Sequence, residues 1–462
     1  MSIYSKLYSV SPVYIQNLFI SFYGYYWKNR RHGGSFKKEV LKWKARENYT
    51  KKEWEEYQTV ELRKLLCHAF VTVPFYNKLY TKHGFKEEDF LKFTLSDIKR
   101  LPYLEKEDLR KFGTSTLLST KKMKGRFYSS SGSTGTPTKI YFSKEFHRKW
   151  FAAYEARVRN WAGVDYQTPR GMIGGRRVLP KAENSPPFYR YNRAEKQTYF
   201  SAYHISSDNI KNYIKGIVSN KIEYMVGYAM SNYFLADFIE REKLKAPTLK
   251  AVITSSEKLT STMRETFKRV YGCKTYDGYS GMEACGLISE NREGDFLFSP
   301  DTGILELIDA EGTEVDYGCE GEIISTGLLN FDQPLIRYRI GDRAKKSLNQ
   351  QSKSGVQMPM FDEISGRIED VVTSFDGKKM VRFHGIFIDI KGLISAQLIQ
   401  ETINHINLNL IVNENEFEKE SEKVIIERLK SQLGSEIIIQ FNYVDYIPKN
   451  NNGKFRAVIS KV

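Results

Sequence analysis

Ten consecutive small residues at positions 129–138, SSSGSTGTPT, have the composition of an anion-binding loop. Gly132 and Gly135 let the backbone adopt positive φ and bring its N–H groups close to a ligand, and the hydroxyl side chains add donors without bulk. Such a loop suits a polyphosphate. The run lacks the Gly-Lys-Ser/Thr end of a P-loop, and no GxGxxG motif follows a strand elsewhere. The alternative is a flexible Ser/Gly linker, although apolar segments flank the run on both sides.

Further motifs with chemically useful side chains follow in a fixed order. Each is weak evidence alone, because a turn or a solvated surface has a similar composition. They are TSSE ending at Glu257, YSGME from Tyr279 to Glu283, IGD ending at Asp342, GRIED from Gly366 to Asp370, and PKNNNGK ending at Lys454.

The elements that must position these motifs are clearest in the middle of the chain. Apolar patterns predict strands at 222–227, 249–254 and about 274–276, and helices at 230–242 and 261–270, the second ended by Gly272. Alternating strands and helices indicate a parallel sheet with right-handed crossovers. Ligands bind beyond the carboxyl ends of such strands, where the TSSE and YSGME motifs fall.

The remaining segments differ in their patterns of apolar and polar residues. Residues 52–112 are predicted to be helical with a break at Pro74, and residues 303–339 form short alternating runs typical of a small β-rich subdomain. A polar stretch at 349–355 precedes the final unit. We place three segments at 1–50, 51–365 and 366–462, with the boundary near residues 366–370.

Composition excludes several classes of protein. The chain has 462 residues, four cysteines without a CxxC pair, and 71 basic against 55 acidic residues, for a net charge of +16. Neither a disulfide framework nor a zinc knuckle is indicated, and a reducing cytoplasm fits best. The basic residues are dispersed and no nucleic-acid-binding motif is present, so we expect no nucleic-acid partner.

The N-terminal segment admits three interpretations. Residues 10–27 carry no charge, are rich in aromatic side chains, and are followed by Lys28, Arg30 and Arg31. The segment is a helix packed on the main domain, a helix lying on the inner membrane face, or a membrane-spanning helix.

Taken together and in order, the motifs resemble those of the adenylate-forming superfamily of acyl-CoA ligases and adenylation domains. The segment LRKLLCHAFVTVPFYNKLYTKHGF with LPYLEKEDLRK, and the N-terminal SPVYIQNLFISFYGYYWKNRR, are similar to the phenylacetate-CoA ligase branch and its CapK-like members, which are associated with polysaccharide synthesis. The resemblance covers nearly the whole chain. It implies an α/β fold: a large N-terminal domain with parallel sheets flanked by helices and a small β-rich subdomain, then a smaller, mobile α+β C-terminal domain.

The resemblance also implies a reaction in which a carboxylate attacks the α-phosphorus of ATP to give an acyl-adenylate, and a thiol or amine then displaces AMP. A carboxylic acid is already ionised near neutral pH, so the absence of a His-Asp or Cys-His pair is no objection. Because two anions must meet, the protein has to position them and neutralise charge.

Roles follow for individual residues. Glu283 would help hold Mg²⁺, Tyr279 would face the adenine, and Asp342 would bind the ribose hydroxyls. Arg367 would reach the ribose or the phosphates, and Lys454 would place a positive charge between the substrate carboxylate and the α-phosphate. The residues expected around the ATP phosphates and the rest of the nucleotide are Ser129, Ser130, Ser131, Gly132, Ser133, Thr134, Gly135, Thr136, Ser256, Glu257 and Ser280.

Each role has an alternative in which the residue takes no part in chemistry: a surface-helix glutamate, a core tyrosine, a turn aspartate or a solvated lysine. Three departures from the family pattern stand out. Met282 replaces the usual hydroxyl residue before Glu283, so Ser280 is the substitute. Glu369 replaces the usual aspartate at the predicted hinge, which includes Asp370. Cys285 lacks nearby Cys or His partners, so we expect no zinc.

The acyl pocket and the acceptor are less clear. Candidates for the pocket are Tyr203, His204, Gly227, Tyr228 and the Gly174–Arg177 stretch, with His204 also readable as a packed histidine. The favoured function is an AMP-forming acid-CoA ligase. The alternatives are an amide ligase that acylates an amino group of a sugar or amino acid, and a non-catalytic basic binding protein on the same fold.

Overall fold

A computed structural model describes residues 3–129, 138–174, 178–179, 185–365, 372–375, 377, 379–380, 384–387, 390–445, 447 and 458–462. The N-terminal quarter of these is helical, as predicted. Pro74 occupies the first turn of a helix and Val73 separates that helix from the preceding one, so the predicted break is confirmed. The helices are α1 (Ile3–Val10), α2 (Val13–His32), α3 (Phe36–Arg46), α4 (Lys51–Thr72), α5 (Pro74–Lys82), α6 (Glu87–Leu91), a 3₁₀ helix (Leu95–Arg100) and α7 (Lys106–Phe112).

A two-stranded antiparallel hairpin follows, formed by β1 (Gly125–Ser129) and β2 (Lys139–Ser143). Ser129 and Lys139 are paired across it. The hairpin leads into α8 (Lys144–Tyr154) and a π-helical turn (Glu155–Arg159).

One twelve-stranded mixed sheet dominates the rest of the N-terminal domain, in the order β11-β12-β13-β14-β10-β9-β8-β7-β6-β3-β5-β4. Strands β5, β3, β6, β7 and β8 run parallel, and every other neighbouring pair in this sheet is antiparallel. The β-rich segment therefore continues the parallel sheet. The strands are β3 (Arg170–Gly174), β4 (Tyr189–Asn192), β5 (Gln197–Ser201), β6 (Tyr224–Tyr228), β7 (Ala251–Ser255), β8 (Lys274–Tyr279), β9 (Ile288–Glu290), β10 (Phe296–Phe298), β11 (Gly303–Ile308), β12 (Glu320–Gly327), β13 (Tyr338–Lys346) and β14 (Met360–Ser365).

Helices cover both faces of the parallel region. Alternate residues of β7 enter different cores: Val252 packs with α9 (Ile210–Ser219), α10 (Ala229–Arg241) and α11 (Ser261–Tyr271), whereas Ile253 packs with Trp43 of α3 and with α8. Gly272 ends α11 in the left-handed conformation at φ 65°, as expected. The predicted α/β class is confirmed.

Helix α2 covers the outer edge of β4, the last strand of the sheet. Asn17 Oδ1 accepts the Tyr191 N–H at 2.9 Å, and Ser21 Oγ accepts the Arg193 N–H at 3.0 Å. The Arg190 guanidinium donates to Gln16. Polar side chains thus satisfy backbone N–H groups of this edge strand, which would otherwise be free to pair with a further strand.

The packed-helix interpretation of the N-terminal segment therefore holds for one face of α2. In the parts of the chain that are described, no helix has the length and apolar character needed to cross a membrane.

The C-terminal domain is α+β, as expected. A four-stranded sheet in the order β19-β18-β17-β20 carries α13 on one face, and Leu398, Leu408, Ile425 and Leu429 form its core. Tyr203 of the N-terminal domain packs against this core. The elements are β15 (Val372–Thr373), β16 (Lys379–Met380), α12 (His384–Phe387), β17 (Leu393–Thr402), β18 (His405–Val412), α13 (Lys419–Leu433), β19 (Ile438–Tyr443) and β20 (Val458–Ser460).

Candidate active site

The carboxyl ends of the five parallel strands meet at one edge of the sheet, and most described candidate residues lie there. Tyr203 and His204 follow β5, Gly227 and Tyr228 end β6, and Ser256 and Glu257 follow β7. Tyr279 ends β8, with Ser280 and Glu283 just beyond it. This edge is where open α/β sheets bind ligands.

Tyr279 and Asp342 are in direct contact although 63 positions separate them in the sequence. The Tyr279 hydroxyl donates a hydrogen bond to Asp342 Oδ2 at 2.8 Å. Burial, followed by the Asp342 charge, raises the pKa of Tyr279 well above its usual value, so the hydroxyl stays a donor. The phenol ring and the carboxylate form one unit with an aromatic face and a second acceptor oxygen.

A local irregularity in β13 accompanies that contact. Gly341 adopts φ 85°, no described atom lies within 4 Å of where its Cβ would stand, and the register with β12 shifts opposite this segment. Bulges bend a strand and redirect its side chains. The IGD motif therefore lies at a bulge that brings Asp342 to Tyr279.

Glu283 lies in a turn after β8 and is only 9% exposed, so it is not a surface-helix residue. A Cβ on Gly281 would come within 2.4 Å of its Oε2, so a larger residue there would require the Glu283 carboxylate to move. Within the described ranges, no three His, Cys, Asp or Glu side chains are grouped to share a metal ion. Glu283 is a carboxylate of the kind Mg²⁺ prefers, and the other ligands would come from phosphate and water.

The hairpin that bears the Ser/Thr/Gly run lies beside Glu283. Ile140 and Phe142 of β2 pack with Ala284, Cys285 and Tyr338. Because β1 and β2 are paired, the run connects adjacent strands and not separate domains, which argues against the linker interpretation. Of the predicted phosphate contacts, Ser129 ends β1, whereas residues 130–136 lie outside the described residues.

Glu257 has a structural partner that the sequence did not suggest. Its Oε2 accepts the Met230 N–H at 2.9 Å in the first turn of α10. A carboxylate at a helix N-terminus satisfies a free donor and favours the helix dipole. Ser256 has φ 74°, an uncommon value for a residue with a side chain. Ser280 Oγ donates to the Gly281 carbonyl at 3.2 Å.

The residues predicted to line the acyl pocket differ in their contacts. The position a Gly174 Cβ would take is 3.7 Å from the Tyr228 ring, so these residues from neighbouring strands face each other. His204 Nδ1 lies 2.7 Å from Ser201 Oγ, and its ring stacks on Phe188 with centroids 4.8 Å apart. The packed interpretation of His204 is therefore favoured.

Two groups near the site were missed by sequence reasoning. Burial raises the pKa of Asp277 to about 6, although its Oδ1 accepts the Gly278 N–H at 2.9 Å. Its position within the DGYSGME segment was a usable signal. The Tyr338 hydroxyl is buried and has no hydrogen-bond partner among the residues that the structure describes, and Glu283 is among the groups that raise its pKa. No local motif marks Tyr338, because the long-range packing of β13 buries it.

Four predicted residues lie outside the described residues: Arg367, Glu369, Asp370 and Lys454. Their roles stay predictions, as does the domain boundary near 366–370. Gly175, Arg176 and Arg177 are also outside this set.

The chain is similar to known proteins in sequence and in fold. The family profile described as CapK C-terminal domain matches residues 372–461. Protein CapK of Staphylococcus aureus is 25% identical over 466 residues, covering 99% of both chains. The phenylacetate-coenzyme A ligase of Escherichia coli (strain K12) is 24% identical over 341 residues, covering 69% of this chain and 72% of that protein.

Solved structures of 2-hydroxyisobutyryl-CoA ligase share the fold. The thioesterification state, in complex with 2-HIB-AMP and CoA, has a TM-score of 0.57 at 18% identity and covers 90% of this chain and 91% of that one. The postadenylation state with R3-HIB-AMP gives a TM-score of 0.55 at 18% identity, covering 90% and 92%. The fold is thus that of the acyl-CoA ligases. In sequence, the chain is similar to Protein CapK over nearly its whole length and to phenylacetate-coenzyme A ligases over about two thirds of it.

Proposed function

We propose that this protein is an AMP-forming carboxylate ligase, which activates a carboxylic acid with ATP and Mg²⁺ to an acyl-adenylate and transfers the acyl group to coenzyme A. The observation that carries the proposal is the contact between Tyr279 and Asp342 at the carboxyl edge of the parallel strands, with Glu283 beside it. The relatives named as phenylacetate-coenzyme A ligases support the same reaction class.

The described residues suit the nucleotide. The Tyr279 ring offers a face for adenine, and Asp342 keeps Oδ1 for a ribose hydroxyl while Oδ2 holds Tyr279. A phosphate chain extending from that point would approach Glu283 and the β1–β2 hairpin. Magnesium at Glu283 would neutralise phosphate charge, which lowers the repulsion that an incoming carboxylate meets.

Lys454 is proposed as the cation between the substrate carboxylate and the α-phosphate, and Arg367 as a donor to the ribose or phosphates. No general base is needed, because the nucleophile is already ionised. The remaining task is positioning, which falls to side chains on rigid strand ends.

The acceptor has a second candidate, an amino group on a sugar or amino acid. The observation that favours this second acceptor is the share of the chain that each relative matches. The CapK relative matches 99% of this chain, whereas the Escherichia coli coenzyme A ligase matches 69%. We propose that the acid or the acceptor belongs to capsular or exopolysaccharide synthesis, in line with the CapK-like resemblance.

ATP–pyrophosphate exchange over a panel of aryl and short-chain carboxylic acids tests the proposal. We expect exchange that depends on one class of acid and on Mg²⁺. AMP release after addition of coenzyme A or an aminosugar then separates the two acceptors. A folded sample that neither exchanges pyrophosphate with any acid nor binds ATP would favour a non-catalytic binding protein instead.

A further inference from the structure

We propose that the exposed face of α2 and the basic end of β1 together dock the protein on an anionic lipid surface. Tyr14, Leu18, Phe22 and Tyr25 are all exposed and recur at spacings of four, four and three residues. That spacing places them in one stripe along the helix, and we call it the aromatic stripe.

The stripe lies opposite the buried residues of α2, which are Gln16, Gly24, Trp27 and Arg30. Gln16, Asn17, Ser21 and Gly24 face strand β4, where they contact backbone and side chains, so the helix orientation is fixed. The exposed aromatic residues are thus held at the surface by a docked helix. Exposed aromatic stripes of this length usually mark an interaction surface, since isolated apolar residues are scattered in ordinary surfaces.

A basic rim adjoins the stripe. The Arg126 guanidinium lies over the Tyr26 ring at 5.3 Å from its centroid, and the Tyr128 ring is 6.0 Å from that of Trp27, which joins β1 to the end of α2. Four exposed basic residues lie in β1 or just before it, and Arg126 is one of them. They are Lys121, Lys122, Lys124 and Arg126.

The two segments that build this surface lack acidic residues altogether. The first acidic residue of the chain is Glu39, and none occurs between Asp108 and Glu145. The first 38 residues carry six lysines and arginines, and positions 109–144 carry eight. The sequence spreads these charges, and the fold brings the two acid-free segments side by side.

Charge and side-chain type favour a bilayer as the occupant. Tyrosine, phenylalanine and leucine on a helix face suit the headgroup boundary, and neighbouring lysines and arginines attract anionic lipids. A second copy docked by two-fold symmetry would bring a basic rim close to another basic rim, which opposes association. The proposal does not depend on ligase activity.

Flotation with phosphatidylcholine vesicles, with and without phosphatidylglycerol, tests the proposal on the full chain. We expect binding that requires phosphatidylglycerol and weakens as salt rises. Phe22→Ser with Tyr25→Ser should lower the partition coefficient about tenfold or more, because two exposed aromatic side chains are lost. Lys122→Glu with Lys124→Glu should weaken binding to anionic vesicles alone.

A matched control uses exposed aromatic residues elsewhere. Phe22 and Tyr25 are 76% and 68% exposed, and Phe375 and Tyr317 are 65% and 57% exposed. Phe375→Ser with Tyr317→Ser should leave vesicle binding unchanged, and circular dichroism checks that each variant is folded. Equal losses in both pairs, or no binding by the wild type to anionic vesicles, would overturn the proposal. So would a dimer in sedimentation that the Phe22/Tyr25 variant converts to monomer without any vesicle binding.

Discussion

The hydrogen bond from Tyr279 to Asp342 is the most specific pairing in the candidate site. Replacing Tyr279 with phenylalanine keeps the aromatic face and removes the donor. We expect ATP affinity to fall about five- to tenfold, since one charge-assisted hydrogen bond that orients Asp342 is lost. Isothermal calorimetry with ATP or AMP measures this effect.

Tyr276→Phe is the matched control, because it removes a tyrosine hydroxyl from the same strand within a different core. Its nucleotide affinity should match the wild type. An unchanged affinity in Tyr279→Phe would remove the Tyr279–Asp342 unit from the nucleotide site.

Asp277 makes stability depend on pH. Burial raises its pKa to about 6, whereas an unfolded aspartate titrates near ~3.9. The folded state therefore binds this proton more tightly, and the free energy of unfolding should decline by about 2 kcal/mol as pH rises from ~4 to ~6. Asp277→Asn should remove that part of the decline.

Urea unfolding of the wild type and Asp277→Asn at matched pH values checks this sign. Asp237→Asn on helix α10 serves as the control, since Asp237 pairs with Arg241, whose side chain is 64% exposed. A variant whose pH profile parallels the wild type across this window would contradict the assignment to Asp277.

Among elements, the pairing of β3 and β6 at the site depends on one glycine. Gly227 has φ 140°, and a Cβ there would lie 1.8 Å from the Ile173 carbonyl oxygen. Gly227→Ala must therefore push two neighbouring parallel strands apart. We expect a loss of about 4 kcal/mol or more in the free energy of unfolding, and a smaller soluble yield.

Gly434 provides a matched control for that loss. It also has a positive φ, 109°, but no other atom of the described residues lies within 4 Å of its Cβ position. Gly434→Ala should lower the free energy of unfolding by only about 1–2 kcal/mol, which is the cost of the strained backbone conformation alone. Similar losses in both variants would show that strand separation is not the cause.

The contact between α2 and β4 predicts local protection from hydrogen exchange. Asn17→Ala with Ser21→Ala removes the acceptors for the Tyr191 and Arg193 amides. We expect these two amides to exchange about fivefold faster or more, measured by hydrogen exchange with NMR or mass spectrometry. Thr59→Ala, which removes a hydroxyl bonded within α4, should leave them unchanged. Unaltered exchange at Tyr191 and Arg193 in the double variant would contradict the edge-covering role.

How much of an element the sequence predicts depends on whether its signal is local. Helix α11 was predicted within one residue, because Thr260 caps its start and Gly272 its end. Strand β13 begins at Tyr338 and extends to Lys346, beyond the alternating runs predicted for 303–339, and Arg337 just before it has φ 49°. Partners distant in sequence decide that boundary, and no local pattern reports them. The order of the motifs still predicts one shared site, and it therefore places Tyr279 and Asp342 together.

At the scale of the whole molecule, the two half-reactions should depend differently on the C-terminal domain. Lys454→Ala should lower acyl-adenylate formation by about 10²- to 10³-fold, since a charge near the reacting phosphate is lost. Turnover of a supplied acyl-adenylate should be largely kept. Pyrophosphate exchange and AMP release from synthetic acyl-adenylate measure the two steps separately.

Lys461→Ala removes the same charge from the same domain and breaks a surface pair with Glu401. Both half-reactions should survive it. Equal loss of both steps in Lys454→Ala would contradict the role given to Lys454.

The parallel α/β core was predictable from strand–helix alternation and the family resemblance, and the α+β C-terminal domain from the resemblance alone. The union of the β-rich segment with the parallel sheet was not. It arises from antiparallel pairs such as β8 with β9 and β10 with β14, and the sequences of such short strands do not indicate how they pair. The adjacency of two acid-free segments likewise exists only in three dimensions.

Tyr203 belongs to the N-terminal domain, yet its ring rests on the hydrophobic core of the C-terminal one. If that domain swivels between half-reactions, the partly buried Tyr203 ring must lose its contact with this core and regain it during every catalytic cycle. A fluorotyrosine at position 203 would then be a spectroscopic reporter: its fluorine resonance should split or shift when nucleotide and acid are added together, and the splitting would time the swivel directly.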